Sequence, residues 1–286
     1  MARKDLFSIN FEHILYLLKN KVYMTNEDLH SVHDSAKKMK YISSGLSFSE
    51  FHLKLIKNGL IQHSVKIKDR VYIRYSMYKD ADVNIYEFTS TFDESRRFFS
   101  MSTSLNIQGL SNFRNNIIFL TKERVTKNIL DEDNLTQEKI DQAFKKPYRR
   151  TKAIGKFLNY NIVLLEANKT NGKPFEVIEY NNYKVSSINR AFVEMISSVG
   201  YMRSTEDIIN VFVPIKDKLD LNKILKVIKT FDFVYPYYQL AGFYLEQIGY
   251  TKNELKSFYK NLSEFNFYAQ KERKNYIFDE YWKIYH

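Results

Sequence analysis

The chain has 286 residues, 44% of them hydrophobic, which is enough for roughly two packed domains of about 150 residues each. Its 44 Lys and Arg against 33 Asp and Glu leave a formal charge of +11, so a polyanionic or acidic partner is expected. With no cysteine, disulfides, thiolate metal sites, iron–sulfur clusters and cysteine nucleophiles are excluded. The opening Met-Ala-Arg-Lys-Asp-Leu-Phe lacks the apolar core of a signal peptide. The most apolar charge-free stretch, residues 233–245, contains Pro236 and falls short of the roughly 18 residues of a membrane span. A cytoplasmic protein with no membrane partner is expected. Only 8 Gly and 4 Pro stand beside abundant Lys, Asn, Ile and Tyr, a bias of AT-rich coding that contributes part of the lysine excess.

The first 75 residues carry 13 Lys and Arg against 7 Asp and Glu, together with His13, His30, His33, His52 and His63 out of six histidines. The composition then shifts, and the polar run Lys79-Asp80-Ala81-Asp82-Val83-Asn84 reads as a linker. The expected domains are 1–80 and 91–286.

In the first domain, Ile9, His13, Tyr16 and Leu17 fall at helical spacing that stops near Asn20 and Lys21. Thr25, with Glu27 and Asp28 behind it, caps a second helix through about His33. A third begins near Ser47 and ends at Asn58-Gly59, with Leu53, Ile56 and Leu60 as its inward stripe. Residues 61–65 and 71–75 are β-branched and aromatic runs around the basic tip Lys66-Ile67-Lys68-Asp69-Arg70. Three helices followed by a hairpin is the order of a winged helix-turn-helix, which lays its last helix in the major groove and its hairpin on the flanking phosphates or minor groove. The exposed positions would be Ser47, Ser49, Glu50, Lys54, Lys57 and Asn58 on the helix, with Lys66, Lys68, Arg70 and Arg74 on the hairpin.

Further on, a helix is expected from Asp93 through Phe98, Met101, Leu105 and Ile107 to Gly109, then a strand at 117–120 and a helix at 136–144. Strands at 157–165, 175–180 and 183–185, the last two joined by Asn181-Asn182, read as an antiparallel sheet. Helices follow at 187–199, 204–212, 221–231, 235–248 and 252–262, and the aromatic and charged tail 264–286 is taken as helical. Strands gathered ahead of helices give an α+β class.

No Walker loop, nucleophile elbow, kinase set, zinc-protease motif or dinucleotide fingerprint is present, and no cofactor is expected. His30 and His33 share a helical turn near Glu27 but lack further ligands, so no metal site is expected. Glu166, Glu176 and Glu179 form no evident acid/base pair. One dense cationic run, Lys145-Lys146-Pro147-Tyr148-Arg149-Arg150-Thr151-Lys152, offers Lys145, Lys146, Arg149 and Arg150 to a phosphate backbone, the alternative being a solvated loop. The aromatics of 231–250 could stack on bases, but Tyr237, Leu240, Tyr244 and Ile248 have the spacing of a helix core.

Four segments together resemble the AbiEi antitoxins: Leu55-Ile56-Lys57-Asn58-Gly59-Leu60-Ile61 with Val71-Tyr72; residues 100–110; Lys146-Pro147-Tyr148-Arg149-Arg150-Thr151; and Tyr235-Pro236-Tyr237-Tyr238-Gln239-Leu240-Ala241-Gly242-Phe243-Tyr244-Leu245. The resemblance covers about residues 10–260. Gly200-Tyr201-Met202-Arg203 departs from it by lacking a glycine pair, and the tail lies beyond it. It implies a two-domain antitoxin that represses its own operon through inverted repeats in double-stranded operator DNA. It also implies a C-terminal domain that counters a nucleotidyltransferase-like toxin in phage abortive infection. The leading expectation is thus a non-enzymatic repressor and antitoxin. The alternatives are a purely protein-binding antitoxin and a metal-dependent nucleic-acid enzyme built on the three glutamates.

Overall fold

The computed structural model describes residues 5–19, 21–77, 84–92, 96–113, 116–123, 135–167, 174–271 and 275–286. They divide into two units, residues 1–95 with 155–159, and residues 96–154 with 160–286. The division therefore falls at Ser95, later than the break expected between 80 and 91. The expected linker residues 79–83, the Asp93 cap and Asn20 lie outside the described residues.

In the first unit, Asp5 accepts from the Ser8 N–H to cap α1 (Leu6–Ile9), and α2 (Phe11–Leu18) follows. Reciprocal capping boxes, Thr25 with Asp28 and Ser47 with Glu50, start α3 (Asn26–Lys38) and α4 (Phe48–Lys57). The second helix outruns its expected end at His33 because Ala36 is buried and Lys37 and Lys38 suit the C-terminal dipole. Gly59, at φ 101, ends the third and turns the chain into β1 (Ile61–Ile67), antiparallel to β2 (Arg70–Ser76) across a Lys68-Asp69 turn. Then comes α5 (Ile85–Ser90), capped by Asn84.

The core of this unit is Phe7, Ile14, Leu18, Leu29, Phe51, Leu55, Leu60 and Tyr75. Only Leu60 of the expected stripe on α4 is buried; Leu53 is 58% and Ile56 44% exposed, and Ile9 and Tyr16 also face outward. Both helices carry two apolar stripes. Spacing identifies a helix but does not choose between stripes, and contact with Phe7 decided for Phe51.

The second unit opens with β3 (Arg97–Phe99), α6 (Met101–Ile107), β4 (Ile117–Glu123) and α7 (Gln137–Lys145). The single helix expected over 93–109 is thus a strand followed by a helix, with Met101 at φ 52 between them. Next are β5 (Ile154–Phe157), β6 (Tyr160–Ala167), β7 (Val177–Tyr180) and β8 (Tyr183–Ser186). Residues 155–159 count with the first unit: Phe157 stacks on Phe88 at 4.1 Å, and Gly155 lies where a Cβ would come within 2.7 Å of the Lys66 carbonyl.

The sheet of the second unit runs β6-β4-β3-β8-β7. It is mixed, not antiparallel as expected: β4 runs parallel to β6 and β3 to β8, because long crossovers separate them in sequence. The β7–β8 hairpin has the expected tight turn, with Asn181 and Asn182 at φ 47 and 65.

Against this sheet lie α8 (Ile188–Ser197), α9 (Thr205–Phe212), α10 (Leu221–Phe231), α11 (Tyr237–Ile248) and the short α12 (Lys256–Tyr259), sharing one core. Among its described residues the tail, expected to be helical, holds no helix. Its strands β9 (Phe267–Tyr268), β10 (Phe278–Asp279) and β11 (Ile284–Tyr285) form a small sheet in the order β10-β11-β9. Trp282 explains this: it is fully buried against Gly242, at a place where any Cβ would collide with the indole, and its Nε1–H donates to Glu246. The chain is α+β, and among the described residues no helix is long and apolar enough to cross a membrane.

Trp282→Ala should lower stability by about 3–5 kcal/mol in urea denaturation, the usual cost of emptying a buried aromatic site. His52 supplies a pH test. Burial lowers its pKa from 6.5, and its Nε2 has no hydrogen-bond partner among the described residues. The unfolded chain therefore takes the proton first, and stability is lost as pH falls from 6.5 to the lowered folded-state value. Between about pH 7.5 and 5.5, His52→Phe should lose less stability than the native chain in paired urea titrations.

Candidate nucleic-acid interface

In the first unit, the residues expected to meet DNA separate by role. Ser47 and Asn58 are exposed, yet both are caps: the Ser47 hydroxyl accepts from the Glu50 N–H at 3.3 Å, and the Asn58 amide donates to the Lys54 carbonyl at 2.8 Å. Hydrogen bonds from the Ser47 hydroxyl and backbone N–H hold the Glu50 carboxyl below its usual pKa. Lys54 is half-buried, donates to Asp5 at 2.8 Å and lies 5.4 Å from the Phe7 ring centre. That leaves an outward face of Ser49, Leu53, Ile56 and Lys57 on α4.

On the hairpin, Lys66, Lys68 and Arg70 are exposed at and beside the turn, Arg70 packing over Tyr72 at 4.7 Å. Arg74 corrects the sequence reading. It is 8% exposed, donates from Nε to the Thr91 hydroxyl at 2.5 Å and from Nη2 to the Thr91 carbonyl at 2.7 Å, and lies 5.2 Å from Phe92. Strand parity puts Arg74 on the same face as Tyr72 and Ser76, which the segment through Phe92 covers. Assigning Thr91 and Phe92 to the second domain hid their role.

His30 and His33 both pack against Phe48. His30 stacks on Phe48 at 3.5 Å, and the buried His33 pairs through Nε2 with the Leu46 carbonyl at 3.0 Å. Among the described residues, no group of three or more His, Asp or Glu gathers to hold a metal. Glu176 accepts from the Ser187 hydroxyl at 2.6 Å, whereas Glu166 and Glu179 are exposed on other strands.

In the second unit, the basic run leaves α7 at Lys145. Lys145, Lys146, Arg149, Arg150 and Lys152 are exposed, while Tyr148 turns inward. The Tyr148 hydroxyl accepts from the Lys271 backbone N–H at 2.6 Å, and its ring lies where a Cβ on Gly200 would come within 2.5 Å. Lys271 Nζ donates to the carbonyls of Ala143 and Lys146, at the C-terminal end of α7, and the Thr151 N–H donates to the Tyr201 hydroxyl at 2.6 Å. A cavity of about 540 Å³ opens between this loop, the residues following α8, the start of α11 and β9. Tyr235, Tyr237 and the buried Leu240 line it, whereas Tyr244 and Ile248 are core, so the aromatic segment is divided between the cavity wall and the interior. Burial raises the pKa of the Tyr237 and Tyr244 hydroxyls, keeping both protonated.

Sequence reasoning missed one buried constellation. Arg190, completely buried, donates to Glu194 at 2.6 Å, to the Phe175 carbonyl at 2.7 Å and to Glu123. Glu194 also accepts from the Ser186 hydroxyl at 2.8 Å and the Met101 N–H at 3.0 Å. The i, i+4 spacing of Arg190 and Glu194 is a legible signal, but it ordinarily marks a solvated pair. The group is sealed from water, with Glu123 Oε2 buried and lacking a hydrogen-bond partner among the described residues, so the arrangement supports structure.

No family model and no curated protein matches the chain. Among solved structures it is similar to the RV2827C protein from Mycobacterium tuberculosis, with a TM-score of 0.62 over 97% of this chain and 91% of that one, at 8% identity. A likeness at that identity shows a shared fold.

Arg74→Ala should destabilise the protein by about 1–3 kcal/mol, because it removes the hydrogen bonds that the Thr91 hydroxyl and carbonyl accept. Lys68→Ala should stay within about 0.5 kcal/mol of the native value in the same denaturation series.

Proposed function

We propose that this chain is a cytoplasmic, non-enzymatic repressor and antitoxin that binds duplex operator DNA through its first unit. One observation carries the reading: a helix with both ends capped, α4, runs directly into a two-stranded hairpin whose turn region exposes Lys66, Lys68 and Arg70. In a winged helix-turn-helix, α4 enters the major groove, with Ser49 and Lys57 offered to base edges or phosphates and Leu53 and Ile56 offered to thymine methyls. The hairpin then sits on the phosphate backbone. The antitoxin half rests on the resemblance to the AbiEi antitoxins. It assigns to the second unit the countering of a nucleotidyltransferase-like toxin, and the exposed Lys145, Lys146, Arg149 and Arg150 are the groups available for an acidic partner or a second phosphate contact.

A second reading has its own support. Leu53 and Ile56 make the outward face of α4 more apolar than a phosphate-binding surface needs, which favours a protein contact there. One experiment separates the two: fluorescence anisotropy of the full chain with the duplex upstream of its own gene, across a salt series, with a scrambled duplex as control. With about six cations on DNA, as the sequence alone suggests, log K would fall with log salt at a slope near −5. The structure engages Lys54 and Arg74 internally, so Lys57, Lys66, Lys68 and Arg70 remain, for a slope of about −3.6. Lys57→Glu should weaken specific binding at least about tenfold with an unchanged melting temperature. Equal, weak binding to both duplexes would overturn the repressor reading in favour of the protein contact.

A further inference from the structure

The cavity beside the basic loop has a chemistry that duplex binding leaves unused. The loop divides its cations: Lys146 and Arg149 line the cavity, whereas Lys145, Arg150 and Lys152 do not. Lys139 adds a further positive charge, and no carboxylate is among the described lining residues. The remaining wall is rich in tyrosine, including Tyr148 and Tyr235. About 540 Å³ lies within the range of roughly 300–1,000 Å³ usual for small-molecule sites.

The aromatic wall is preorganised. Tyr148 is held at its hydroxyl by the Lys271 backbone N–H and at its ring by the close approach of Gly200, with the Lys271 ammonium 5.6 Å from the ring centre, so little rotamer freedom is lost when a ligand packs there. A concave surface with an excess of cations and fixed aromatic rings matches a ligand that joins a planar ring to a phosphate. Arginine binds phosphate through two parallel hydrogen bonds, and tyrosine rings accept any base by its face. A B-form duplex keeps its bases stacked and presents only their edges, so it cannot use this cavity.

We propose that the cavity is a nucleotide site, taking a nucleoside phosphate with its base against the tyrosine rings and its phosphate on Arg149 and Lys146. All of the lining residues belong to the second unit, so the proposal does not rest on operator binding by the first.

The test is equilibrium titration of the full-length chain with a mant-labelled adenosine nucleotide, followed by competition. Unlabelled AMP, GMP, CMP or UMP should displace the probe at concentrations about tenfold lower than adenosine or inorganic phosphate, since only a nucleotide fills both halves of the site. Arg149→Ala should weaken probe binding about tenfold and Arg150→Ala less than about twofold, because only Arg149 lines the cavity. Gly200→Val, which drives a side chain into the Tyr148 ring, should abolish binding; if its melt shows unfolding, the Arg149 and Arg150 pair decides alone. Displacement by inorganic phosphate as effective as by nucleotides, or equal effects of Arg149→Ala and Arg150→Ala, would overturn the proposal. So would displacement by single-stranded oligonucleotides but by no mononucleotide. Operator anisotropy run in parallel keeps failure here separate from failure of the repressor reading.

Discussion

The second unit depends on a charge that has no access to water. Arg190 lies between Glu123 and Glu194 and over the rings of Phe98 and Phe231, so its guanidinium joins β4 to α8 and α10. Burial opposes the charged form, but the two carboxylates outweigh it and keep the arginine ionised. Such a group gains little stability over an apolar equivalent, yet removing one partner strands a buried charge at a cost of about 3–5 kcal/mol. Its consequence is specificity of arrangement. Glu194 reaches the Met101 N–H and the Ser186 hydroxyl, so it ties the reversal after β3, the end of β8 and α8 together.

With these elements tied together, the end of α8 and the turn through Gly200 fall beside the basic loop. The tail completes the surroundings. Trp282 anchors the small C-terminal sheet on α11, and Lys271, in the same tail, caps α7 and fixes Tyr148. A loop that would otherwise be solvated is therefore held by hydrogen bonds from elements more than a hundred residues away in sequence, and its cations divide between the cavity and the open surface.

The first unit obeys a different constraint, that of helix ends. Two capping boxes and the left-handed Gly59 set the ends of α3 and α4, Leu29, Ala36, Phe51 and Leu55 hold both helices in the core, and the hairpin turn follows at once. Local rules thus built the helix-and-hairpin order on which the operator-binding proposal rests. The fold shared with the Mycobacterium tuberculosis protein at 8% identity fits this picture, since caps, turns and an apolar pattern can persist while most residues change.

The caps at Thr25, Ser47 and Ser204, the Asn181-Asn182 turn and the span of α10 were legible because each depends on residues within one turn of the chain. The α+β class followed from the order of those elements. Four features were not legible: the buried stripe of α4, the inward turn of Arg74, the parallel pairing of β4 with β6, and the strands of the tail. Each is settled by a partner distant in sequence, namely Phe7, Thr91, the crossover between the two strands, and Gly242. Periodicity counts apolar positions but carries no information about which neighbour arrives to cover them. The composition and local signals of this chain were enough to propose a basic, two-domain, helix-and-hairpin protein. Whether a given lysine or arginine faces water, a carboxylate or a cavity was decided by packing, because burial of a charge is tolerated only where a specific partner meets it.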